Sequence, residues 1–297
     1  MVDARAMRAE TKGTIAVALA ACGWGTWALF LRGAGLPAAW TSVLILSVIA
    51  LASLGPALLR RGPRRAPALF ALLALAAATE AGNYLFYFGA LARGPIAIAV
   101  LTHYLAPVVV AVLAPVVLRE PLGRRTPLSL VASLCGLSLL VLGGGGLSGA
   151  ALPAAIFGAT SALFYGANTI VSKKLLGPFS NAELLSYHCA LAALLLALVT
   201  RDPLPPWRAF LWAPLAGAIV LGAGGGALFY AGLRAIPSQR AAVLTYLEPL
   251  VAAIVGAAAF GERLGLAGIA GGALILAGGA AVALSPMEDT EKTTLGM

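Results

Sequence analysis

Long apolar runs, separated by short polar connections, occupy nearly all of the 297-residue chain. Each run is about 18 to 24 residues long, the length that an α-helix needs to cross the hydrocarbon core of a bilayer. The strands of a membrane barrel would instead alternate apolar and polar residues over about ten positions. Because backbone groups in lipid need internal hydrogen-bond partners, the runs predict an all-α integral membrane protein.

Charges, prolines and glycine clusters divide the apolar runs into ten predicted transmembrane spans. Hydrophobic residues make up 61% of the chain and charged residues only 10%, so lipid must solvate most of its surface. The first run continues as a full span without a cleavage site, which predicts a retained first helix. The predicted spans are 13–31, 38–59, 67–92, 95–118, 126–143, 150–172, 181–200, 211–233, 238–260 and 266–285.

The distribution of basic residues predicts how the chain is oriented. If the amino terminus lies inside, fifteen of the twenty Lys and Arg residues fall on that side and five on the other. The positive-inside rule then places both termini, including a tail at 286–297, in the cytoplasm and the spans in the inner (plasma) membrane. The net charge of +9 therefore indicates topology and not a nucleic-acid partner, because no aromatic or glycine-rich basic domain accompanies it.

The second half of the chain repeats the first at an offset of 142 positions. Chance similarity between apolar helices does not match prolines and glutamates together. The matched positions are Pro95 with Pro237, Tyr104-Leu105-x-Pro107 with Tyr246-Leu247-x-Pro249, Glu120-x-Leu122-Gly123 with Glu262-x-Leu264-Gly265, and Gly136 with Gly278.

This repeat predicts two inverted halves around a central cavity. Residues 1–147 and 148–285 each hold five spans, and because five is odd, the second half must enter the membrane from the opposite side. One packing arrangement then exists in two orientations, so a site at the midplane can open to alternate sides. That is the structural logic of a secondary transporter.

Three short motifs add a family resemblance to the repeat: Trp24-Gly25-Thr26, Leu247-Glu248-Pro249 and Gly261-Glu262. Together with the duplicated halves, they resemble the EamA-type branch of the drug/metabolite transporter superfamily over nearly the whole chain. The resemblance implies a ten-helix exporter or exchanger whose cavity is lined by the first four helices of each half. The fifth helices would serve packing or dimerisation, which leaves a monomer or a homodimer open. The chain is most similar to amino-acid exporters, including those for aromatic amino acids.

Three ionisable residues lie near span centres: Glu80, His103 and Glu248. A charge at that depth costs about 2.5 to 3.5 kcal/mol to insert, so each needs a partner or a wet cavity. In a cavity, Glu248 could hold a substrate ammonium group, protonated His103 a substrate carboxylate, and any of the three a coupling proton. Structural roles remain open: Glu80 in a polar seam between helices, His103 donating to a carbonyl, and Glu248 capping a network.

Other candidate substrate-binding residues share helix faces with these three or add aromatic surface. Asn83, Tyr84 and Tyr87 follow Glu80 at helical spacing, Thr102 adjoins His103, and Thr245 shares a face with Glu248. Trp24, Tyr165, Asn168 and Tyr230 would form an aromatic, hydrogen-bonding wall. Glu183 and His188 are expected to serve structure. Breaks at Pro107 and Pro249 and bending at Gly222 and Gly226 are the predicted hinges.

These features predict a secondary transporter that exports amino acids, with membrane lipid and the solute as its partners. A nucleotide-sugar or sugar-phosphate exchanger shares the architecture, but its anionic solute favours Lys or Arg in the cavity, and such residues lie near span ends here. An intramembrane enzyme would need a nucleophile with its base or a metal cluster, and neither motif occurs. No metal, cofactor or nucleotide is predicted. Facilitated diffusion, exchange and proton antiport all remain open.

Overall fold

The computed structural model describes residues 4–31, 34–59, 66–93, 96–142, 151–206, 212–261 and 265–284. Within these ranges the chain is helical and has no β-strand. Nine helical stretches are long and apolar enough to cross a membrane, and the shorter apolar helix Thr126–Leu142 is the tenth candidate in the described part of the chain. The prediction of an all-α membrane protein is confirmed. The predicted tail at 286–297 lies outside the described residues.

We number the ten spanning segments α1 to α10. In the first half, α1 comprises Ala4–Trp24 and Ala28–Leu31, α2 is Ala38–Leu58, α3 is Pro67–Leu91, and α5 is Thr126–Leu142. Segment α4 comprises Ile96–His103, Ala106–Leu113 and a π-helical end at Ala114–Leu118. Helix α1 begins earlier than the predicted 13, because its first turns carry Arg5, Arg8, Glu10 and Lys12, which hydropathy does not assign to a span.

The second half contains the same succession of segments. Here α6 is Ala151–Leu175, α7 is Asn181–Val199, and α10 is Leu266–Ala283. Segment α8 comprises Trp212–Gly217, a π-helical stretch at Ala218–Gly224, and Gly225–Ala235. Segment α9 comprises Ser238–Leu244 and Leu247–Phe260.

Segments α4 and α9 are interrupted at matching places in the repeat. The helix stops at Tyr104–Leu105 in α4 and at Thr245–Tyr246 in α9. Pro107 lies in the first turn after the α4 break, where its missing N–H does not cost a helical hydrogen bond. Both segments also end in the same way. Arg119 (φ 58°) and Gly261 (φ 70°) adopt the left-handed conformation that terminates helices, and they are repeat mates, that is, residues matched at the offset of 142 positions.

Contacts between repeat mates show that a pseudo-twofold axis relates the halves. Tyr104 and Tyr246 are repeat mates, and the Tyr246 hydroxyl donates to the Tyr104 carbonyl at 2.9 Å. The break in α4 leaves this carbonyl free, because the Val108 N–H bonds to Leu105 instead. A residue can touch its own repeat mate only when both lie close to the axis, so the α4 and α9 breaks meet at the centre of the molecule.

Helices α5 and α10 show the same symmetry in their packing. Gly136 packs on the backbone of Gly271, and Gly278 packs on the backbone of Ser129. The offset of 142 makes Gly278 the mate of Gly136 and Gly271 the mate of Ser129, so the contact is reciprocal, as an isologous interface requires. The remaining main pairs are α1 with α8, α2 with α7, α3 with α6 and α4 with α6. Large apolar side chains such as Leu51 and Leu198 point outward, as expected for a lipid-facing surface.

Candidate substrate site

A hydrogen-bonded group of three side chains joins α3, α4 and α6 near the axis. The Nδ1 atom of buried His103 lies 2.9 Å from the Ser161 hydroxyl. Ser161 in turn donates to the Asn83 side-chain oxygen at 2.9 Å or to its carbonyl at 3.0 Å. Since a hydroxyl has one hydrogen to give, Ser161 accepts from the Nδ1–H of His103, and Nε2 of the neutral ring is an acceptor.

Three tyrosine rings enclose His103. Tyr165 stacks on it at 5.4 Å with an interplanar angle of 1°, and Tyr87 approaches to 4.3 Å. Tyr104 meets the ring edge-on at 5.3 Å. The imidazole therefore has a fixed orientation, held by the serine bond and by ring contacts from three segments.

Glu248 lies directly after the break in α9. Its carboxylate interacts with the Tyr104 hydroxyl of the other half and is within electrostatic reach of Tyr84, Tyr87 and Tyr165. Gly25, in the turn that interrupts α1, packs against the Glu248 carbonyl, and a Cβ at this position would lie 2.6 Å from that oxygen. The α1 turn thus fixes the backbone that carries the carboxylate.

Glu80 approaches the same region from the middle of α3. Its carboxylate is within electrostatic reach of Tyr84, Tyr165 and Tyr230 and of the Cys189 thiol. Tyr84 and Tyr165 are within electrostatic reach of Glu248 as well, so the two glutamates, one from each half, lie near the same two tyrosines, which mark a shared region. Both are half-buried, which leaves part of each side chain accessible.

In the described part of the chain, the ion pairs given for basic residues join Lys173 to Glu120 and Arg240 to Glu10, and neither Glu80 nor Glu248 takes part in them. The basic residues whose contacts are given lie towards helix ends. Lys173 and Arg240 take part in ion pairs there, and Arg93 covers the Phe157 ring at 4.1 Å. The shared region therefore offers carboxylates, tyrosine hydroxyls and a neutral imidazole.

Two predicted wall residues belong to a polar seam that we define as Asn168, Ser172, His188 and Tyr230. The Asn168 amide donates to the Ala76 carbonyl at 2.8 Å, which ties α6 to α3. Ser172 lies 3.2 Å from the Tyr230 hydroxyl, and that hydroxyl lies 3.4 Å from Nε2 of His188. The seam borders the site, because Tyr230 also interacts with Glu80. His188, for which the sequence predicts a structural role, lies in this seam, and Glu183 forms a capping box with Ser180.

Three other predicted binding residues direct their polar atoms to backbone carbonyls. Trp24 donates from Nε1 to the Leu221 carbonyl in the π-helical stretch of α8, at 2.9 Å. The Thr102 hydroxyl donates to Ile98 and the Thr245 hydroxyl to Ala242, both at 2.7 Å within their own helices. Their local contacts stabilise the helix segments around the site.

The predicted hinge glycines of α8 lie at close helix contacts. A Cβ at Gly222 would meet Ile49 of α2, and one at Gly226 would meet Leu185 of α7. The π-helical stretch at Ala218–Gly224 interrupts the regular ladder beside them. Bending at Gly222, Gly226, Pro107 and Pro249 during transport stays a prediction.

Comparison with known proteins places this architecture in a family. The EamA-like transporter family matches the chain twice, over residues 11–142 and 152–284. The chain belongs to the EamA-like transporter family. It is similar to an uncharacterized transporter of Archaeoglobus fulgidus, with 34% identity over 280 residues that cover 94% of this chain and 97% of the relative. A crystal structure of a protein shares the fold, with a TM-score of 0.77, 22% identity, and coverage of 92% of this chain and 98% of that one.

Polar contacts join the two halves of this EamA-like transporter at an end cluster, which we define as Glu10, Glu120, Lys173, Ser238, Gln239 and Arg240. Glu120 accepts from the Ser238 N–H at 2.7 Å and hydroxyl at 2.6 Å, and it pairs with Lys173 at 3.5 Å. Gln239 donates to the Glu120 carbonyl at 3.2 Å, and Arg240 pairs with Glu10. The cluster joins the two halves, since Glu10 and Glu120 lie in the first and the other members in the second.

Sequence reasoning did not single out three residues that lie beside the candidate site. Tyr104 interacts with Glu248, Cys189 lies near Glu80, and Gly25 supports the Glu248 backbone. The repeat contained a signal for Tyr104, because a tyrosine matched at both mates beside the breaks indicates a position on the axis. Gly25 stood within a family motif. No pattern in the sequence marked Cys189.

Proposed function

We propose that this EamA-like transporter exports amino acids, aromatic or otherwise hydrophobic, across the inner membrane by alternating access. The observation that carries the proposal is the group of aromatic and hydrogen-bonding side chains beside the paired helix breaks, in which His103 bonds to Ser161 and stacks on Tyr165. Glu80 and Glu248, from opposite halves, are both within electrostatic reach of Tyr165. Charged and hydrogen-bonding groups there suit the polar end of an amino acid, and the tyrosine rings suit its apolar side chain.

The location of this region supports an alternating-access mechanism. It lies beside the paired breaks of α4 and α9, next to the axis at which Tyr104 contacts Tyr246. Interrupted helices at the midplane are the places where transporters of inverted repeats bind their solutes. Rocking of one half against the other would therefore expose the same groups to either side.

In this proposal, the end cluster is the gate that opens and closes the transporter on one side of the membrane. The charge distribution in the sequence predicts a cytoplasmic location for this end of the bundle, at which α1 starts and α4, α6 and α8 end. With Glu120 bonded to Ser238 and Lys173, the halves are held together on that side. Opening towards the cytoplasm requires these contacts to separate, and export then proceeds when they reform behind the solute.

Uptake into proteoliposomes tests the proposal. Purified protein is reconstituted, and entry of radiolabelled aromatic and aliphatic amino acids is compared with that in protein-free vesicles, with and without an imposed pH gradient. We expect saturable uptake, and its response to the gradient distinguishes proton antiport from exchange or facilitated diffusion. If no amino acid enters, while a sugar phosphate or nucleotide sugar does, the amino-acid proposal is wrong and the phosphorylated-solute alternative replaces it.

A further inference from the structure

We infer that the bodies that move during transport are two units of three helices, each of which combines both halves of the sequence. Unit A contains α3, α4 and α6, and unit B contains α1, α8 and α9. The pseudo-twofold axis exchanges the two units, because α3, α4 and α6 are the counterparts of α8, α9 and α1 in the repeat. The inference rests on the proposed alternating access and specifies which helices move together when the two halves rock.

Packing that occurs in both copies of the repeat identifies the rigid parts of such a transporter. One arrangement exists in two orientations, so the two end states are related by exchange of the conformations of the two copies. A contact that both copies make in one structure is therefore present in both states. A contact that only one copy makes must separate when the transporter changes state.

The first packing arrangement of this kind lies between α3 and α6 in unit A. Gly82 and Gly89 lie seven residues apart on α3 and face two phenylalanine rings of α6, which are also seven residues apart. A Cβ at Gly82 would lie 2.7 Å from the Phe164 ring, and one at Gly89 would lie 2.6 Å from the Phe157 ring. Glycine at both positions therefore lets the two helices approach closely over two turns.

The same arrangement occurs between α8 and α1 in unit B. Gly225 and Gly232 on α8 are again seven residues apart, and so are Val17 and Trp24 on α1. A Cβ at Gly225 would lie 2.7 Å from the Trp24 indole, and one at Gly232 would lie 2.5 Å from the Val17 side chain. The α3–α6 contact and the α8–α1 contact are thus equivalent.

The contact of α6 with α4 likewise has its equivalent between α1 and α9. Gly166 on α6 and Gly25 in the turn of α1 each pack against a valine side chain and a backbone carbonyl. A Cβ at either glycine would lie 2.6 Å from the valine. The residues that the two glycines meet are repeat mates: Val109 with Val251, and Ala106 with Glu248. Each unit is therefore held together by contacts that its counterpart also makes.

Contacts between the two units differ at the two ends of the bundle. In the end cluster, Glu120 of unit A accepts from Ser238 of unit B, and Lys173 of unit A donates to the Ile236 carbonyl of unit B. Ser238 is 0% exposed, whereas its repeat mate Ile96, at the opposite end, is 67% exposed. The contact that buries Ser238 is thus made by one copy only, and it must separate in the other state.

The end cluster also contains a contact that crosses between the halves but lies within one unit. Glu10 and Arg240 form an ion pair that joins α1 to α9, both in unit B. Movement of the sequence halves would break this pair, whereas movement of the units preserves it. The halves and the units therefore give different predictions for the same set of contacts.

A disulfide within unit A distinguishes the units from the halves. Gly89→Cys and Phe157→Cys join α3 of the first half to α6 of the second, and the second change removes the ring that the new side chain at position 89 would meet. The background protein carries alanine at the three native cysteines, Cys22, Cys135 and Cys189. If the units move, oxidation should leave the initial rate of phenylalanine uptake unchanged. If the halves move, oxidation should abolish uptake.

A disulfide between the units is the matched comparison. Glu120→Cys with Ser238→Cys, in the same background, joins unit A to unit B, and its oxidation should abolish uptake. Mass spectrometry confirms that each disulfide has formed. The single cysteine variants, oxidised in the same way, are the controls, and a reductant should reverse any loss of uptake that the disulfide causes.

Distances between spin labels give a readout that needs no transported solute. Met7 and Val116 lie in the same half but in different units, whereas Ile96 and Lys174 lie in different halves but both in unit A. All four side chains are exposed, so cysteines at these positions can carry the labels. Glu120→Ala removes the contact between the units at the end cluster. We expect this change to lengthen the Met7–Val116 distance, measured by pulsed electron paramagnetic resonance, and to leave the Ile96–Lys174 distance unchanged.

The outcomes separate this inference from the proposed function. Reversible loss of uptake on oxidation of the Gly89→Cys, Phe157→Cys protein would overturn the two units. A changed Ile96–Lys174 distance, or a Met7–Val116 distance that does not change, would also overturn them. If the distances behave as expected but no amino acid is taken up, the units stand and amino-acid export fails.

Discussion

The Ser161 hydroxyl orients two site residues at once, because it accepts from His103 and donates to Asn83. Both bonds cross between segments, from α6 to α4 and from α6 to α3. The position of Ser161 thus fixes the imidazole relative to the α3 face that carries Glu80. One small side chain therefore orients both His103 and Asn83, because a buried polar atom that loses its hydrogen-bond partner costs free energy.

Ser161→Ala is expected to lower both stability and transport. It leaves the His103 Nδ1–H and the Asn83 oxygen without their partner, which costs about 1 to 3 kcal/mol for a buried polar group. Thermal unfolding in detergent and initial uptake rates measure the two effects. Ser138→Ala is the matched control, because that hydroxyl bonds only within its own helix, to Leu134. Equal behaviour of the two variants would contradict an orienting role for Ser161.

Glu248→Gln is expected to reduce uptake about ten-fold, which corresponds to about 1.4 kcal/mol, and to flatten its dependence on pH. The amide keeps the shape of the side chain and its acceptor towards Tyr104 but cannot bind or release a proton. The groups that face Glu248 are Tyr84, Tyr87, Tyr104 and Tyr165. Uptake is measured from pH 5 to pH 9, and an unchanged profile would remove Glu248 from the mechanism.

At the scale of the helices, small residues set how closely the segments approach. Helices α5 and α10 meet through Gly136, Gly271 and Gly278, each of which packs on backbone of the opposite helix. In lipid, where apolar side chains gain little by leaving the solvent, such close backbone contact is a main source of helix association. The fifth helix of each half thus contributes to packing within the monomer.

Gly271→Ala should destabilise the α5–α10 pair. The added methyl group would meet the Gly136 carbonyl and the Leu140 backbone, which cannot move aside as a flexible side chain does. We expect a loss of about 1 to 3 kcal/mol, typical of overpacking. The matched control is Gly279→Ala on the same helix, where, among the residues that the structure describes, the added methyl group would meet the tip of Leu244 at 4.0 Å and nothing closer. Similar melting temperatures for both variants would show that α5 and α10 can move apart to make room for the added methyl group without loss of stability.

The spans and the repeat could be predicted because they depend on local hydropathy and on order along the chain. The exact direction of each side chain could not, because it depends on helix rotation and on neighbours distant in sequence. Asn168 shares a face with Tyr165, for example, yet it bonds to the α3 backbone while Tyr165 stacks on His103. The breaks near Pro107 and Pro249 were predictable from proline chemistry, whereas the π-helical stretch that accepts the Trp24 bond was not.

At the scale of the whole molecule, the contacts between the two halves near the axis differ from the contacts at the end cluster. Close to the axis, Tyr104 and Tyr246 make a single hydrogen bond and a ring contact, which can persist while the halves rotate about them. At the end cluster, Glu120 joins Ser238 and Lys173 far from the axis, where a rotation produces a large separation. The two sets of contacts therefore suit a pivot and a gate.

A reversible crosslink across the end cluster tests this assignment. Glu120→Cys and Ser238→Cys are combined in a protein whose native Cys22, Cys135 and Cys189 are replaced by alanine, once that background is shown to transport. If the gate must open, oxidation should abolish uptake, because the disulfide holds the halves together, and a reductant should restore it. Each single cysteine variant, oxidised in the same way, is the control. Continued uptake by the crosslinked protein would mean that this end does not open, and the rocking of the halves would have to be replaced by a smaller movement confined to the site.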